Sequence, residues 1–109
     1  MGVTGPPAFQ VSCTIDSEAG ARELAAALVD ARVAACVQVL GPVHSTYRWE
    51  GAVRADTEWL LLRKTTPERF PALRDAIVAR HPYDVPEVVA VPIEDGLPAY
   101  LSWIGDSIS

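Results

Sequence analysis

The chain has 109 residues, half of them hydrophobic and 21 % charged, with a formal net charge of −5. That length argues for one domain, and that composition for a packed core rather than a disordered chain. Mild acidity without any basic run excludes nucleic acid as a default partner, because phosphate binding needs clustered Lys and Arg.

The apolar content is high for a chain that buries only about two-thirds of its unfolded surface by itself, a first hint of self-association. No stretch reaches the roughly 18 apolar residues of a membrane span. The opening "MGVTGPPAFQ" has neither a basic segment nor an apolar run, so no secretory signal is expected. Pro6 stands where a myristoylation signal needs Ser or Thr. The two cysteines, Cys13 and Cys36, do not form a Cys-x-x-Cys pair. Together these features predict a cytoplasmic protein with reduced thiols.

Residues 1–7 read as a loose leader and 8–109 as a single domain. In "AFQVSCTI", 8–15, Phe9, Val11, Cys13 and Ile15 share one face of a strand, and Gln10, Ser12 and Thr14 share the other. Asp16 or Ser17 offers an N-cap for a helix over about 17–32, with Leu24, Ala27, Leu28 and Ala31 on its apolar stripe. "VAACVQVL", 33–40, is a strand that is apolar on nearly both faces. Gly41-Pro42 forces a bend or bulge, Glu50-Gly51 is a turn, and the hairpin runs back to about residue 64. A second helix starts either with Pro67 at its first position or with a Thr65–Glu68 capping box, and Pro82 ends it. "EVVAVPIE", 87–94, is a fourth strand, and "LPAYLSWIGDSI" a short final helix.

This order predicts an α+β, ferredoxin-like split βαβ sandwich. Four antiparallel strands, with a long bent hairpin, carry two helices on one face plus the short C-terminal helix. The other face is bare in a monomer, and with Trp49 and Trp59 on the hairpin it predicts a closed homo-oligomer.

Five segments then carry a resemblance: "LVDARVAACVQ" at 28–38, "STYRWEG" at 45–51, "EWLLLRKT" at 58–65, "HPYDVPEV" at 81–88 and "YLSWI" at 100–104. They resemble, in order and spacing, the CutA family of divalent-ion tolerance proteins. The resemblance implies a ferredoxin-like trimer built through the hairpin and a role in tolerance to copper and other divalent cations. It implies copper ligands at Cys13 and at His81. The family's preceding His is Arg80 in this chain, a cation with no lone pair, so the implied site keeps two ligands of three and its copper binding is weak. The family's Asn after "AACV" is Gln38. The resemblance also places Tyr47, Trp49, Glu58, Lys64, His81, Tyr83 and Glu87 in polar, aromatic clefts between subunits.

Each of these residues has a plainer reading. Cys13 lies on the apolar parity of its strand, where a thiol acts as a small hydrophobe. His81, stiffened between helix end and Pro82, serves as a corner bonded to a carbonyl. Cys36 has the opposite parity to its apolar neighbours and reads as packing. Glu58 and Lys64 share a strand face but stand roughly 20 Å apart, so neither pairs with the other within one chain. No phosphate loop or nucleophile–base signature is present. The expectation is a cytoplasmic homotrimer without enzymatic activity, linked to divalent-cation tolerance and binding Cu2+ weakly if at all. The alternatives are a regulatory trimer with a small ligand in its clefts, and an acid–base enzyme using His81 with Glu58 or Tyr83.

Overall fold

The computed structural model describes residues 6–109, so most of the expected leader lies outside the described residues. The elements are β1 (Phe9–Ile15), α1 (Glu18–Asp30), β2 (Cys36–Trp49), β3 (Ala52–Thr65), α2 (Phe70–Arg80), β4 (Val89–Pro92) and α3 (Pro98–Ser107). They form one four-stranded sheet in the order β2-β3-β1-β4, with every pairing antiparallel. The ferredoxin-like arrangement expected from the strand and helix order is the one observed.

The alternation along β1 sets the layers. Val11, Cys13 and Ile15 join Leu61 from β3 in a core with Ala21, Leu24 and Leu28 of α1 and Leu73 and Ile77 of α2. Gln10, Ser12 and Thr14 point to the opposite, uncovered face, opposite Lys64, Leu62 and Leu60 in register. Ser17 caps α1 by accepting the Gly20 N–H at 2.9 Å, as the sequence suggests.

α2 begins later than expected. The Thr66 carbonyl accepts the N–H groups of both Arg69 and Phe70, and a lead-in turn occupies 67–69 before the helix proper. Pro71, not Pro67, is the proline in the first helical turn. The Thr65–Glu68 capping box does not form, because the Thr65 hydroxyl donates to the Val33 carbonyl at 2.8 Å; the chain turns at Thr66-Pro67 instead, with Thr66 Oγ1 accepting the Arg69 N–H. The other end is as read: His81 is extended, with φ −78° and ψ 139°, because Pro82 follows it.

The hairpin starts three residues late, at Cys36, although Ala35 already donates its N–H to the Lys64 carbonyl at 2.8 Å. Its ladder breaks between Leu40 and Val43, where the Gly41-Pro42 step makes the predicted bulge. A Cβ at residue 41 would collide with the Trp59 indole, so glycine is what lets that ring lie against the bend. At the tip, Glu50 and Gly51 have φ of 50° and 77°, the left-handed pair of a two-residue hairpin turn. β4 is shorter than the predicted 87–94, although the Ile93 N–H still reaches the Ala8 carbonyl at 2.9 Å beyond its end. α3 closes the end of the sheet by setting Leu101 and Ile104, with Ile108 just past its end, against Ala8 and Ala35.

Candidate functional site

A cavity of about 640 Å³ opens where the projecting hairpin meets the loop after α2. Three strands and that loop build it. Thr14 contributes from the end of β1; Ser45, Thr46, Tyr47 and Trp49 from β2; Arg54 and Glu58 from β3; Tyr83, Asp84, Val85 and Glu87 from the loop. The rigid "HPYDVPE" segment is what carries Tyr83 and Glu87 over the uncovered sheet face.

Glu58 is the anchor. It is only 6 % exposed, and it accepts the Tyr83 hydroxyl proton at 2.8 Å. Burial and that hydrogen bond to a carboxylate both hold the Tyr83 phenol well above its ordinary range. Glu87 accepts the Ser12 hydroxyl at 3.2 Å. Tyr47 donates its hydroxyl to Asp56, which raises its pKa as well. The cleft is thus walled by aromatic rings, lined with acceptor oxygens and open to solvent. Carboxylates and phenols of this kind can hold a polar or cationic ligand without any covalent chemistry.

Of the cleft residues implied by the resemblance, Tyr47, Trp49, Glu58, Tyr83 and Glu87 line this one cavity. Lys64 does not. It lies in register with Cys36 at the far end of the uncovered face and donates its Nζ–H to Gln38 Oε1 at 3.2 Å. The expected separation of Glu58 from Lys64 is therefore observed, and Lys64 leaves the site within a single chain.

His81 is a corner residue with a defined tautomer. The Tyr83 backbone N–H can only donate, and it meets Nδ1 at 3.1 Å; the Thr14 carbonyl can only accept, and it meets Nε2 at 2.8 Å. Nε2 therefore carries the hydrogen and Nδ1 the lone pair, and both are used. The ring also packs edge-on against Tyr83, with centroids 4.6 Å apart. In this arrangement His81 has no free lone pair for a metal or for a substrate proton.

Cys13 is fully buried in the helix–sheet core. Its sulfur accepts a hydrogen bond from Arg63 Nη2 at 2.8 Å. Burial pushes the thiol pKa up, and the neighbouring guanidinium only partly opposes that. Arg80, in place of the family's first His, lines a separate depression beside Asp16 and Glu23 at the start of α1. The copper pair expected at Cys13 and His81 thus does not fit an ion in this chain: the sulfur faces a guanidinium, and the imidazole is spent on the main chain. Among the described residues, no group of three or more His, Cys, Asp or Glu is placed to hold a metal ion.

Sequence reasoning passed over Arg63, Asp56, Arg54 and Asp84. Arg63 was within reach: the period of two that puts Leu61 and Thr65 inside also puts Arg63 inside. The others depend on how the hairpin tip and the loop approach each other, and no local pattern encodes that.

Residues 9–107 match the family model described as CutA1 divalent ion tolerance protein. The chain is 48 % identical over 97 residues to the divalent-cation tolerance protein CutA of Thermus thermophilus, covering 89 % of this chain and 94 % of that one. It is 42 % identical over 91 residues to protein CutA of Homo sapiens, of which it spans 51 %. Among solved structures it superposes on the Thermus thermophilus divalent cation tolerance protein with a TM-score of 0.91 at 46 % identity, over 94 % of this chain and 99 % of that one. With CutA1 from Oryza sativa the TM-score is 0.92 at 38 % identity, over 97 % of each chain. By sequence and by structure, this chain belongs to the CutA1 divalent ion tolerance family.

Proposed function

We propose that this chain is a non-enzymatic binding protein whose working surface in divalent-cation tolerance is the cleft around Glu58 and Tyr83, presented by a homotrimer. The observation that carries the reading is the buried Glu58 carboxylate, tied to the Tyr83 hydroxyl at the base of a solvent-open, aromatic-walled cavity. Binding energy in such a site comes from a few placed polar groups and flat apolar walls. The acid–base alternative is less well supported, since both nitrogens of its histidine, His81, are committed to backbone groups.

Trimer formation is supported by what one chain leaves uncovered. Trp49, Tyr47, Val53 and Leu40 on the hairpin, and Val89 and Val91 on β4, are all exposed. Apolar surface of that extent marks an interface. The two unpaired cysteines support a reducing, cytoplasmic location.

A thermal-shift screen of divalent cations and small polar metabolites tests the proposal. At least one compound should raise the melting temperature of the unaltered protein and lose that effect in Glu58→Gln. A ligand whose stabilisation survives both Glu58→Gln and Tyr83→Phe would move the functional surface elsewhere.

A further inference from the structure

The cleft is selective in what it leaves open. Glu58 is only 6 % exposed, and its Oε2 is taken by the Tyr83 hydroxyl. Its Oε1 makes no hydrogen bond among the described residues, yet it is not sealed off, and the residue lines the cavity. A largely buried carboxylate oxygen calls for a donor. Asp84 and Glu87, from the loop, add two more carboxylates to the same lining. Arg54 is the single cation of that lining, and it lies towards the hairpin tip, four residues along β3 from Glu58, roughly 13 Å up the strand. The rings are committed in a complementary way. Tyr47 donates its hydroxyl to Asp56 and Tyr83 donates to Glu58, so neither phenol has a hydrogen left for an incoming anion. What they and Trp49 offer a ligand is ring surface.

We infer that the ligand of the cleft is a primary alkylammonium ion, its head on Glu58 Oε1 at the inner end and its chain against the rings of Tyr47 and Trp49. The inference rests on the cleft being the working surface, and it names the chemical class which that surface takes. A primary ammonium brings N–H donors, a full positive charge and an apolar chain. These match, in turn, the open carboxylate oxygen, the acidic lining and the aromatic walls. A bare metal ion needs several oxygen donors converging on one point. Among the described residues no three His, Cys, Asp or Glu side chains do so. An anionic ligand would face the carboxylates of Glu58, Asp84 and Glu87 with only Arg54 to hold it. A neutral alcohol would leave the charge of Glu58 without a counter-ion.

Proton–nitrogen NMR of the full-length protein tests this through the indole N–H signals of its three tryptophans, with Trp49 assigned by the signal lost in Trp49→Phe. n-Butylammonium should shift the Trp49 signal saturably at millimolar concentration, whereas n-butanol and butyrate should leave it in place. Glu58→Gln should weaken n-butylammonium binding by about tenfold or more, because a close and largely desolvated charge pair is lost. Glu87→Gln, at an exposed position, should weaken it by about threefold, and this variant decides the matter if Glu58→Gln does not fold. No Trp49 shift with n-butylammonium, or an equal shift with n-butanol or butyrate, would overturn the ligand class without touching the cleft. Displacement of n-butylammonium by an equal concentration of magnesium ion would do the same, since the site would then be one for inorganic cations. Shifts confined to Trp59 or Trp103, or binding indifferent to both Glu58→Gln and Glu87→Gln, would place the ammonium elsewhere and count against the cleft as well.

Discussion

Strand β3 lives in two environments. From Glu58 to Thr65 every residue is buried or half-buried, whereas from Ala52 to Thr57 every residue is exposed. The inner half has a complete set of partners in one chain: β1 and β2 on its edges, α1 and α2 on one face. The outer half pairs only with the end of β2, which carries the exposed rings of Tyr47 and Trp49. The inner half explains why the chain folds. The outer half is the surface on which the proposed trimer would pack. The cleft lies at the junction, where Glu58 is the first buried residue of the strand.

Leu61→Ala tests the inner half most directly. Leu61 is fully buried in the helix–sheet core, and its truncation should cost about 3–5 kcal/mol through lost transfer energy and the cavity left behind. Denaturant unfolding reads this, and a loss below about 1 kcal/mol would mean the core is not organised around β3.

Trp49→Ala tests the outer half. The ring is 43 % exposed within one chain, so in a monomer its loss should cost under about 1 kcal/mol. If the hairpin is sealed by other copies, the cost should approach about 3 kcal/mol and the melting temperature should depend on protein concentration. Light scattering on the unaltered protein should then give three times the 11.7 kDa chain mass. A monomer at micromolar concentration would break the comparison, because the outer half would be exposed in the working state.

At the junction, Tyr83→Phe removes the one hydroxyl that Glu58 is seen to accept. A buried carboxylate that loses a hydrogen bond should cost about 1–2 kcal/mol. Thermal unfolding measures it, and an unchanged midpoint would show that solvent already satisfies Glu58.

The smallest effect is on pH dependence. All three tyrosines have pKa values raised above their ordinary 10, Tyr100 to about 12 through its hydrogen bond with Cys36 and burial. The folded state thus favours the neutral phenols, while the unfolded chain ionises near pH 10. The associated stability is complete below pH 10 and declines as pH rises from 10 through about 12. Spectroscopic titration should show little phenolate at pH 10 in folded protein and much more in denaturant. Normal titration of all three would mean that the Glu58, Asp56 and Cys36 partnerships do not persist in solution.

Much of the inner half was legible as text. Period-two alternation placed Phe9, Val11, Cys13 and Ile15 on one face, Gly41-Pro42 announced the bulge, and Pro82 announced the end of α2, because each depends on backbone geometry within a few residues. The choice between two starts for α2 was not local: the Thr65 hydroxyl is spent on the Val33 carbonyl, 32 residues away, so only the turn at Thr66 remains. The chemistry of the site was another matter. That Tyr83 reaches Glu58, that Thr14 and Tyr83 consume both nitrogens of His81, and that Lys64 stays with Gln38 all follow from contacts between residues distant in the chain. Cys13 shows the boundary most clearly. Its strand parity by itself determined that the thiol faces the core, since side chains in a strand alternate by geometry alone. Only the pairing of β1 with β3 decided that the group waiting there is the Arg63 guanidinium, because register between strands is set by the packing of the whole sheet.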